Sequence, residues 1–447
     1  MLLVVLSSVR RDTTKLFGGP ISMGFDRLAR MAIVFEEAYA LTNSEALSMT
    51  SILSGIHPAI LGPYPPIAVA STFLRELRRS GVFTACIDLE PFNPLSHEFD
   101  VFVEPRSIQS LSAESPRAWG LSKALAVFRR GGESRERDPR YGCMEAIDVV
   151  MDLVQRAIES GKRFLIVARL WDSHVPYRAP QSMARKLPSP KPMPRKRISD
   201  VRKRVSGPWI EFLGECLGWR THVEDVAKSY SASIAIEGSA INELINRVTA
   251  LAPRMDIAVM FVADHGESLG EHDVWFHHHG LYETNLRIPL AIYVPGFTPR
   301  RVRGRVTHID VAPTIARLLG VEARTPIKGM DLLTAIELGG VDRQELFFVE
   351  YRAQRRAAVL INDMKFVTPI GPNAVCRYCN TIHGGVEELY NVRRDPLEDY
   401  NIADYSRDLV KEMRRRIAEL HREALRIRIA LATARSITGS YAEKGLH

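Results

Sequence analysis

Short apolar runs alternate with amphipathic stretches along most of this 447-residue chain. Runs that are apolar throughout are typical of strands buried on both faces, and the amphipathic stretches between them favour helices. Strand, helix, strand repetition therefore predicts an α/β fold, with a mostly parallel sheet covered by helices on both faces. The predicted strands are Leu2–Leu6, Ala32–Phe35, Val82–Ile87, Phe164–Leu170, Ile257–Ala263 and Pro289–Val294. The predicted helices are Glu45–Ser54, Ala70–Ser80, Met144–Ser160, Glu224–Ala250 and Val311–Leu319.

The pattern changes beyond about Glu345. Three closely spaced runs follow with only polar or turn residues between them, Leu346–Tyr351, Ala357–Ile361 and Met364–Thr368. This spacing predicts a small antiparallel sheet. A long charged helix from Ser406 to about Ala432 is expected to pack on the body of the molecule. The sequence thus predicts a large α/β domain over residues 1–340 and a C-terminal subdomain over residues 341–447.

Charge and hydropathy restrict the partners of the chain. The net charge of +8 favours anionic partners, or is simply spread over a solvated surface. No RRM, zinc-finger or helix-turn-helix pattern stands out, so specific nucleic-acid binding is not expected. The opening run Met1–Leu6 is too short for a signal peptide, and no later run approaches the ~20 apolar residues of a membrane span. We therefore expect a cytoplasmic protein, and its assembly as a homo-oligomer is compatible with the sequence.

Two local features have more than one interpretation. Lys186–Arg204 is rich in Pro, Lys and Arg, which predicts an extended, solvated excursion. It is either a plain surface loop or a basic rim that attracts an anionic substrate. Cys376 and Cys379 form a CxxC motif without a second pair, which favours a local turn with incidental thiols over a zinc site.

Polar side chains follow several predicted strands at the point where each strand ends. Ser7 follows the first strand, Asp172–Tyr177 follows Phe164–Leu170, and Asp264 and His265 follow Ile257–Ala263. Ligands of open parallel sheets bind at this carboxyl edge. Asp264 and His265 together offer a hard oxygen and an imidazole nitrogen, which is half of a divalent-cation site. A purely structural role for the pair is the alternative.

The start of the predicted helix Glu45–Ser54 is a second candidate element. Thr42, Asn43 and Ser44 are residue types that favour the N-cap position, and Gly55 suits the helix C-terminus. The free N–H groups and the dipole of a helix N-terminus favour an anionic ester or a hydroxyl that loses its proton. Ser44 is therefore either a nucleophile or simply the cap.

Several motifs, some of which overlap the ends of predicted elements, follow one another along the chain. They are Asp172–Tyr177; Val262–Gly270 with Glu271 and His272; His278–Glu283; Arg287–Leu290; His308–Thr314 with Gly329 and Met330; and Glu388–Asn391 with Asp395, Pro396, Glu398 and Asn401. In this order they resemble the signatures of the sulfatase family. The resemblance implies an alkaline-phosphatase-like fold. It also implies hydrolysis of sulfate, phosphate or phosphonate esters, through a covalent intermediate on a nucleophile beside a divalent metal ion (Ca, Mg, Mn or Zn).

The resemblance also implies roles for individual residues. Asp264 and His265 match metal ligands of the family. His174 matches the histidine that contacts the ester anion or protonates the leaving group. His278 falls where relatives have a lysine or histidine that binds the ester oxygens, and its alternative is a solvated histidine near a loop.

Two positions depart from the family pattern. Relatives have a metal-binding aspartate where this chain has Ser7, and the nucleophile position, counted back from Gly55, holds Glu45. No cysteine is nearby, so formylglycine cannot form by the usual route. Residues 43–45 also resemble the nucleophile segment of cofactor-independent phosphoglycerate mutases, in which the serine attacks.

Two hypotheses follow from these departures. In the first, Ser44 attacks the ester and Glu45 joins Asp264, His265 and Ser7 at the metal, which gives a sulfuric- or phosphoric-ester hydrolase. Glu45 itself is a poor nucleophile because a carboxylate is repelled by an anionic ester. In the second, the chain keeps the fold and the pocket but not turnover, and acts as an anion-binding or regulatory protein.

Overall fold

The computed structural model of the chain describes residues 1–63, 72–88, 95–103, 142–177, 179–204, 207–209, 213, 217–218, 220–251, 255–322, 329–372 and 374–443. The first two residues of the predicted helix Ala70–Ser80 lie outside these ranges.

Eleven strands make up the sheets of the first part of the chain. They are β1 (Leu2–Leu6), β2 (Ile33–Tyr39), β3 (Phe83–Asp88), β4 (Val101–Val103), β5 (Phe164–Leu170), β6 (Val259–Ala263), β7 (Ser268–Leu269), β8 (Trp275–His277), β9 (Arg287–Ile288), β10 (Leu290–Tyr293) and β11 (Arg300–Thr307). Within the described residues, β7 pairs with β8, and the other nine form one sheet of order β11-β2-β10-β6-β1-β5-β3-β4, with β9 on β2. All predicted strands of this region are present.

Most neighbours in the central sheet run parallel. Strand β1 pairs in parallel with both β5 and β6, so Val4 lies between Ala168 and Phe261. All five residues of β1 are buried, as expected for a strand covered on both faces. Strand β10 runs antiparallel between β2 and β6. The predicted mostly parallel α/β sheet is confirmed, and it places the ends of β1, β5 and β6 side by side.

Helices of the described residues pack on this sheet in two groups. Helix bounds are α1 (Phe25–Met31), α2 (Glu45–Ser54), α3 (Pro58–Leu61), α4 (Thr72–Arg79), α5 (Cys143–Glu159), α6 (Gln181–Ala184), α7 (Ile198–Arg204), α8 (Val223–Leu251), α9 (Glu283–Leu286), α10 (Val311–Leu318), α11 (Leu332–Glu337) and α12 (Arg407–Glu443). Helix α5 packs on β5 and α8, whereas α2 packs on α4 and α10. None of the described helices has the length and apolar character needed to cross a membrane.

The C-terminal part contains the predicted small antiparallel sheet. Its strands are β12 (Glu345–Glu350), β13 (Arg356–Ile361), β14 (Met364–Pro369) and β15 (Glu388–Asn391), paired in that order. The long helix α12 packs on β13, β14 and α3. The buried Lys365 of β14 joins this sheet to α9, because its ammonium lies 3.1 Å from Glu283 and 2.5 Å from Glu398. The domain boundary at residue 340 stays a prediction.

The basic segment Lys186–Arg204 is not extended along its whole length. Its last seven residues form α7, so the predicted extended conformation is wrong there. The reason is an i, i+3 apolar pair, since Val201 is buried and Ile198 packs against the core. Lys191 is also ion-paired, with its ammonium 2.7 Å from a carboxylate oxygen of Glu271. Part of the positive charge of this segment is therefore compensated within the protein.

Candidate active site

The candidate site lies where β1, β5 and β6 end and α2 begins. Ser7 and Asp264 follow β1 and β6, and their side chains are hydrogen-bonded at 3.1 Å. His174 lies in the loop after β5, and Glu45 is the first residue of α2. His174 Nε2 lies 3.2 Å from Glu45 Oε1. The structure thus brings together side chains that are far apart in sequence, at the sheet edge predicted from the parallel topology.

Asp264 is completely buried, and hydrogen bonds occupy both of its carboxylate oxygens. Oδ1 accepts from the backbone N–H groups of Ser8 at 2.9 Å and His265 at 2.8 Å. Oδ2 accepts from the Ser7 hydroxyl at 3.1 Å and from Arg169 Nη2 at 2.8 Å. A carboxylate has about four lone-pair positions, so these four contacts use its acceptor capacity. Asp264 is therefore held by the protein itself, and the metal-ligand roles of Asp264 and Ser7 stay predictions.

Arg169 is a site residue that the sequence analysis missed. Its side chain is 2% exposed and forms ion pairs with Asp264 at 2.8 Å and Asp88 at 3.8 Å. The guanidinium also lies 4.3 Å from the centre of the Trp171 ring. Burial would raise the pKa of Asp264, but His265 and Arg169 lower it overall. The available signal was an arginine inside the otherwise apolar run Phe164–Leu170, because a charge is almost never fully buried without a partner.

Glu45, His265 and His278 form a group that could hold a metal ion. One ligand atom of each lies within 4.8 Å of those of the other two. His265 Nδ1 lies 2.8 Å from the Gly266 carbonyl, so this nitrogen carries the proton and donates it there. Its Nε2 is left as a free acceptor, buried and without a hydrogen-bond partner in the part of the chain that the structure describes. A histidine that donates one N–H to a carbonyl and presents its other nitrogen is the usual arrangement of a metal ligand.

His278 belongs to this group rather than to the solvent. It is buried, and its Nε2 lies 3.6 Å from Glu45 Oε1. Burial, together with the neighbouring His265, lowers the pKa of His278 well below the usual histidine range. A neutral imidazole has the lone pair that a metal ligand needs. The alternative of a solvated histidine is wrong, and two imidazoles with one carboxylate fit a divalent cation.

His174 has hydrogen-bond acceptors at both ring nitrogens. Nδ1 lies 2.8 Å from its neighbour's carbonyl, that of Val175, and Nε2 faces Glu45. Two acceptors require two N–H donors, so the geometry favours the imidazolium form. Burial would lower the pKa of His174, but the hydrogen bond and charge of Glu45 raise it overall. His174 therefore donates hydrogen bonds to both acceptors at the edge of the pocket, and it is stacked on Trp171 with ring centres 4.2 Å apart.

Ser44 occupies the N-cap position of α2 without using its side chain as a cap. Its φ of −98° and ψ of 122° are those of an N-cap, but its hydroxyl makes no capping hydrogen bond. Ser44 instead lines a pocket of about 200 Å³ together with Glu45, His174 and His278. Capping alone therefore does not account for Ser44, whose nucleophilic role stays a prediction.

The same pocket contains further residues, most of which lie outside the motifs. Its other lining residues are Asn43, Trp209, His277, His279, Glu350, Arg352, Ala353 and Tyr378. Asn43 shapes the wall by donating from its amide to the His278 carbonyl at 2.7 Å. Arg352 adds a guanidinium that could face an anion. Several of these residues come from the C-terminal part of the chain, so both predicted parts contribute to the pocket.

Comparisons with known proteins show what this chain is similar to. The sulfatase family model matches residues 1–321, and that of the C-terminal region of N-sulphoglucosamine sulphohydrolase matches residues 270–423. A choline-sulfatase of Rhizobium meliloti (strain 1021) is 31% identical over 192 residues, which cover 41% of this chain and 34% of that relative. The chain therefore spans about a third of the length of this curated relative.

Two solved structures share the fold over nearly the whole chain. One is a protein in complex with its substrate D-glucosamine-2-N,6-O-disulfate, with a TM-score of 0.66, 18% identity, and coverage of 95% of this chain and 97% of the other. The other is a phosphonate monoester hydrolase from Silicibacter pomeroyi, with a TM-score of 0.64, 17% identity, and coverage of 96% and 95%. At this identity the two structures establish the fold alone.

Proposed function

Because this chain belongs to the sulfatase family, we propose that it hydrolyses sulfate, phosphate or phosphonate esters with Ser44 as the nucleophile. One observation carries the proposal. Ser44, whose hydroxyl makes no capping hydrogen bond, lines the same pocket as Glu45 and His278. The ligand atoms of Glu45, His278 and His265 lie within 4.8 Å of one another, close enough to bind one cation. The related choline-sulfatase supports the hydrolysis of sulfate esters, and a phosphonate monoester hydrolase shares the fold of this chain.

Glu45, His265 and His278 would hold one divalent cation. Such an ion, when bound, supplies positive charge that stabilises anionic ester oxygens and favours ionisation of a nearby hydroxyl. The protein's own contribution to the binding of the anion is the N-terminus of α2, with its free N–H groups and positive dipole end. The guanidinium of Arg352 adds a positive charge at the pocket wall.

The remaining steps use residues of this chain. The Ser44 hydroxyl first loses its proton to solvent. Its oxygen then attacks the sulfur or phosphorus atom and forms a bond to it, while the bond from that atom to the leaving alcohol breaks. The His174 imidazolium would give its Nε2 proton, which is hydrogen-bonded to Glu45 in the structure, to that leaving oxygen. The neutral His174 can then take a proton from the water that releases the anion from Ser44. Glu45 takes no covalent part, because its carboxylate would be repelled by the ester.

A second candidate function is anion binding without turnover. It is favoured by Asp264, whose carboxylate is occupied by Arg169, Ser7 and two backbone N–H groups. If a metal requires Asp264 as a ligand, the ion would have to displace Arg169. In that case the chain would bind anions in the pocket without hydrolysing their esters.

Metal analysis of purified variants separates the two functions. We expect His265→Ala and Glu45→Gln each to remove one equivalent of divalent cation, because each deletes one of the three ligands and affinity should fall by roughly 100-fold. His97→Ala is the matched control, since His97 is exposed on the surface. The same preparations are assayed with nitrophenyl sulfate, phosphate and phosphonate esters. Equal metal content in wild type and His265→Ala would exclude this metal group, and a wild type inactive on all three ester classes would favour anion binding.

A further inference from the structure

Cys376 and Cys379 meet a histidine from a distant part of the chain. His279 Nδ1 lies 3.6 Å from the Cys376 sulfur and 3.8 Å from the Cys379 sulfur. All three side chains are buried, and neither cysteine is in a disulfide. The three ligand atoms lie within 4.8 Å of one another, as the atoms around one metal ion do. We propose that Cys376, Cys379, His279 and His383 bind a structural zinc ion, separate from the group at Glu45.

The distances fit tetrahedral zinc. With Zn–S bonds of about 2.3 Å and Zn–N bonds of about 2.05 Å, a tetrahedral angle places sulfur and nitrogen roughly 3.5 Å apart. The separations of His279 Nδ1 from the two sulfurs, 3.6 and 3.8 Å, are close to this value. Thiolate and imidazole ligands together are the combination that selects zinc over magnesium or calcium.

The turn that carries the two cysteines is built to present both sulfurs on one side. The Asn380 N–H donates to the Cys376 carbonyl at 2.8 Å, and the Cys376 N–H donates to the Thr381 carbonyl at 2.7 Å. Asn380 has a φ of 53°, a left-handed conformation that asparagine tolerates better than most residues. The chain therefore folds back tightly just after Cys379, which keeps the two thiols together.

His383 is the candidate fourth ligand. It follows Cys379 in the pattern Cys-x2-Cys-x3-His, and its side chain is buried. Its Nδ1 lies 2.8 Å from the His272 carbonyl, so Nδ1 carries the proton and Nε2 is the free acceptor. Among the described residues, this buried Nε2 has no hydrogen-bond partner. A carbonyl that accepts from one nitrogen and leaves the other for the metal is the expected support of a zinc-bound histidine.

His279 has a nearby carboxylate as a candidate support. Its Nε2 is buried without a partner among the described residues, and so is Oε2 of the buried Glu350, which lines the same pocket. Burial raises the pKa of Glu350, and the nearby His279 opposes that rise. A small shift on metal binding would let His279 Nε2–H donate to this carboxylate, which gives the carboxylate–histidine–zinc arrangement.

The ion would connect two segments that form the pocket. Cys376, Cys379 and His383 lie in the loop between β14 and β15, whereas His279 lies between β8 and α9, directly after His278. A zinc ion at this position would fix the C-terminal loop against the strand end that carries His278. Because such a site is absent from the unfolded chain, zinc binding would also stabilise the fold.

Cobalt substitution tests this site separately from the group at Glu45. Only the proposed site has thiolate ligands, so the cobalt-loaded wild type should show the near-ultraviolet thiolate-to-cobalt charge-transfer band. His265→Ala should keep this band, and so should the control Cys86→Ala, which removes a buried cysteine elsewhere. The double variant Cys376→Ser, Cys379→Ser should lose the band and bind about one equivalent less zinc than wild type.

The wild-type spectrum decides the proposal even if the double variant does not fold. His383→Ala should keep the band with affinity lowered at least about tenfold, because three ligands remain. Absence of the band from cobalt-loaded wild type would overturn the proposal. Isolation of wild type with Cys376 and Cys379 joined in a disulfide and without zinc would overturn it as well. Neither result would bear on ester hydrolysis, which is measured with His265→Ala and Glu45→Gln.

Discussion

Replacing Ser44 with alanine is expected to lower kcat by about 10⁴-fold or more, on whichever ester the wild type hydrolyses. The change removes the only atom proposed to form a covalent bond with the ester. The hydroxyl makes no capping hydrogen bond, so its loss should not destabilise α2 appreciably. Metal content should also stay at the wild-type level, because Ser44 is not one of the three grouped ligands.

Two further variants complete this test. Glu45→Gln should lower both turnover and metal content, which separates the metal ligand from the nucleophile. Ser239→Ala is the matched control, because its hydroxyl bonds only to the Ala235 carbonyl within α8 in the described structure. Steady-state kinetics with metal analysis of each preparation gives the answer. Full activity in Ser44→Ala would eliminate serine catalysis and would move the nucleophile to water or another group.

The architecture followed from the sequence because hydrophobic periodicity reports burial. The fully apolar run Leu2–Leu6 predicted a strand buried on both faces, and it lies between two parallel neighbours. Periodicity does not report direction, which depends on the connections between strands. For this reason the antiparallel pairing of β10 was not predicted. Composition misled at Ile198–Arg204, where one apolar pair outweighed the many charged residues around it.

The site was predictable where one short motif supplies the chemistry and the topology supplies the position. Asp264 and His265 were placed correctly at the sheet edge, since parallel strands end at the same side. Contacts over long sequence separations were not predictable. The histidine that lies beside Cys376 and Cys379 is His279, which precedes Cys376 by 97 residues in the sequence. A lone CxxC motif therefore gave no indication of the histidine beside it.

The contacts that occupy the Asp264 carboxylate also span long sequence separations, so the sequence did not predict them. The family pattern has a metal-binding aspartate where this chain has Ser7, so it predicts a metal site with one ligand fewer. The structure adds that Ser7 donates to Asp264 and that Arg169 supplies positive charge to the same carboxylate. In relatives with an aspartate at the Ser7 position, that carboxylate would add a second negative charge here. A fixed guanidinium therefore compensates the charge that this chain retains at the end of β6.

Removing this guanidinium should destabilise the protein strongly. Arg169→Met is expected to lower the free energy of unfolding by about 3–5 kcal/mol, because it leaves the buried carboxylate of Asp264 without its cation. The control Arg156→Met breaks a partly exposed pair with Asp152 on α5 and should cost less than about 1 kcal/mol. Urea unfolding followed by circular dichroism measures both values. If the two variants lost the same free energy, the pair at the site would be no stronger than a surface pair.

A double-mutant cycle identifies which carboxylate carries the effect. Asp264→Asn removes the charge that Arg169 compensates at 2.8 Å, whereas the contact with Asp88 is longer at 3.8 Å. The double variant Arg169→Met, Asp264→Asn should therefore lose less free energy than the sum of the two single variants, by roughly 1–3 kcal/mol. Additive losses would assign the cost to Asp88 or to the packing of Arg169 on Trp171. A coupled result would show that Arg169 acts as the counter-ion of Asp264 where β5 and β6 end.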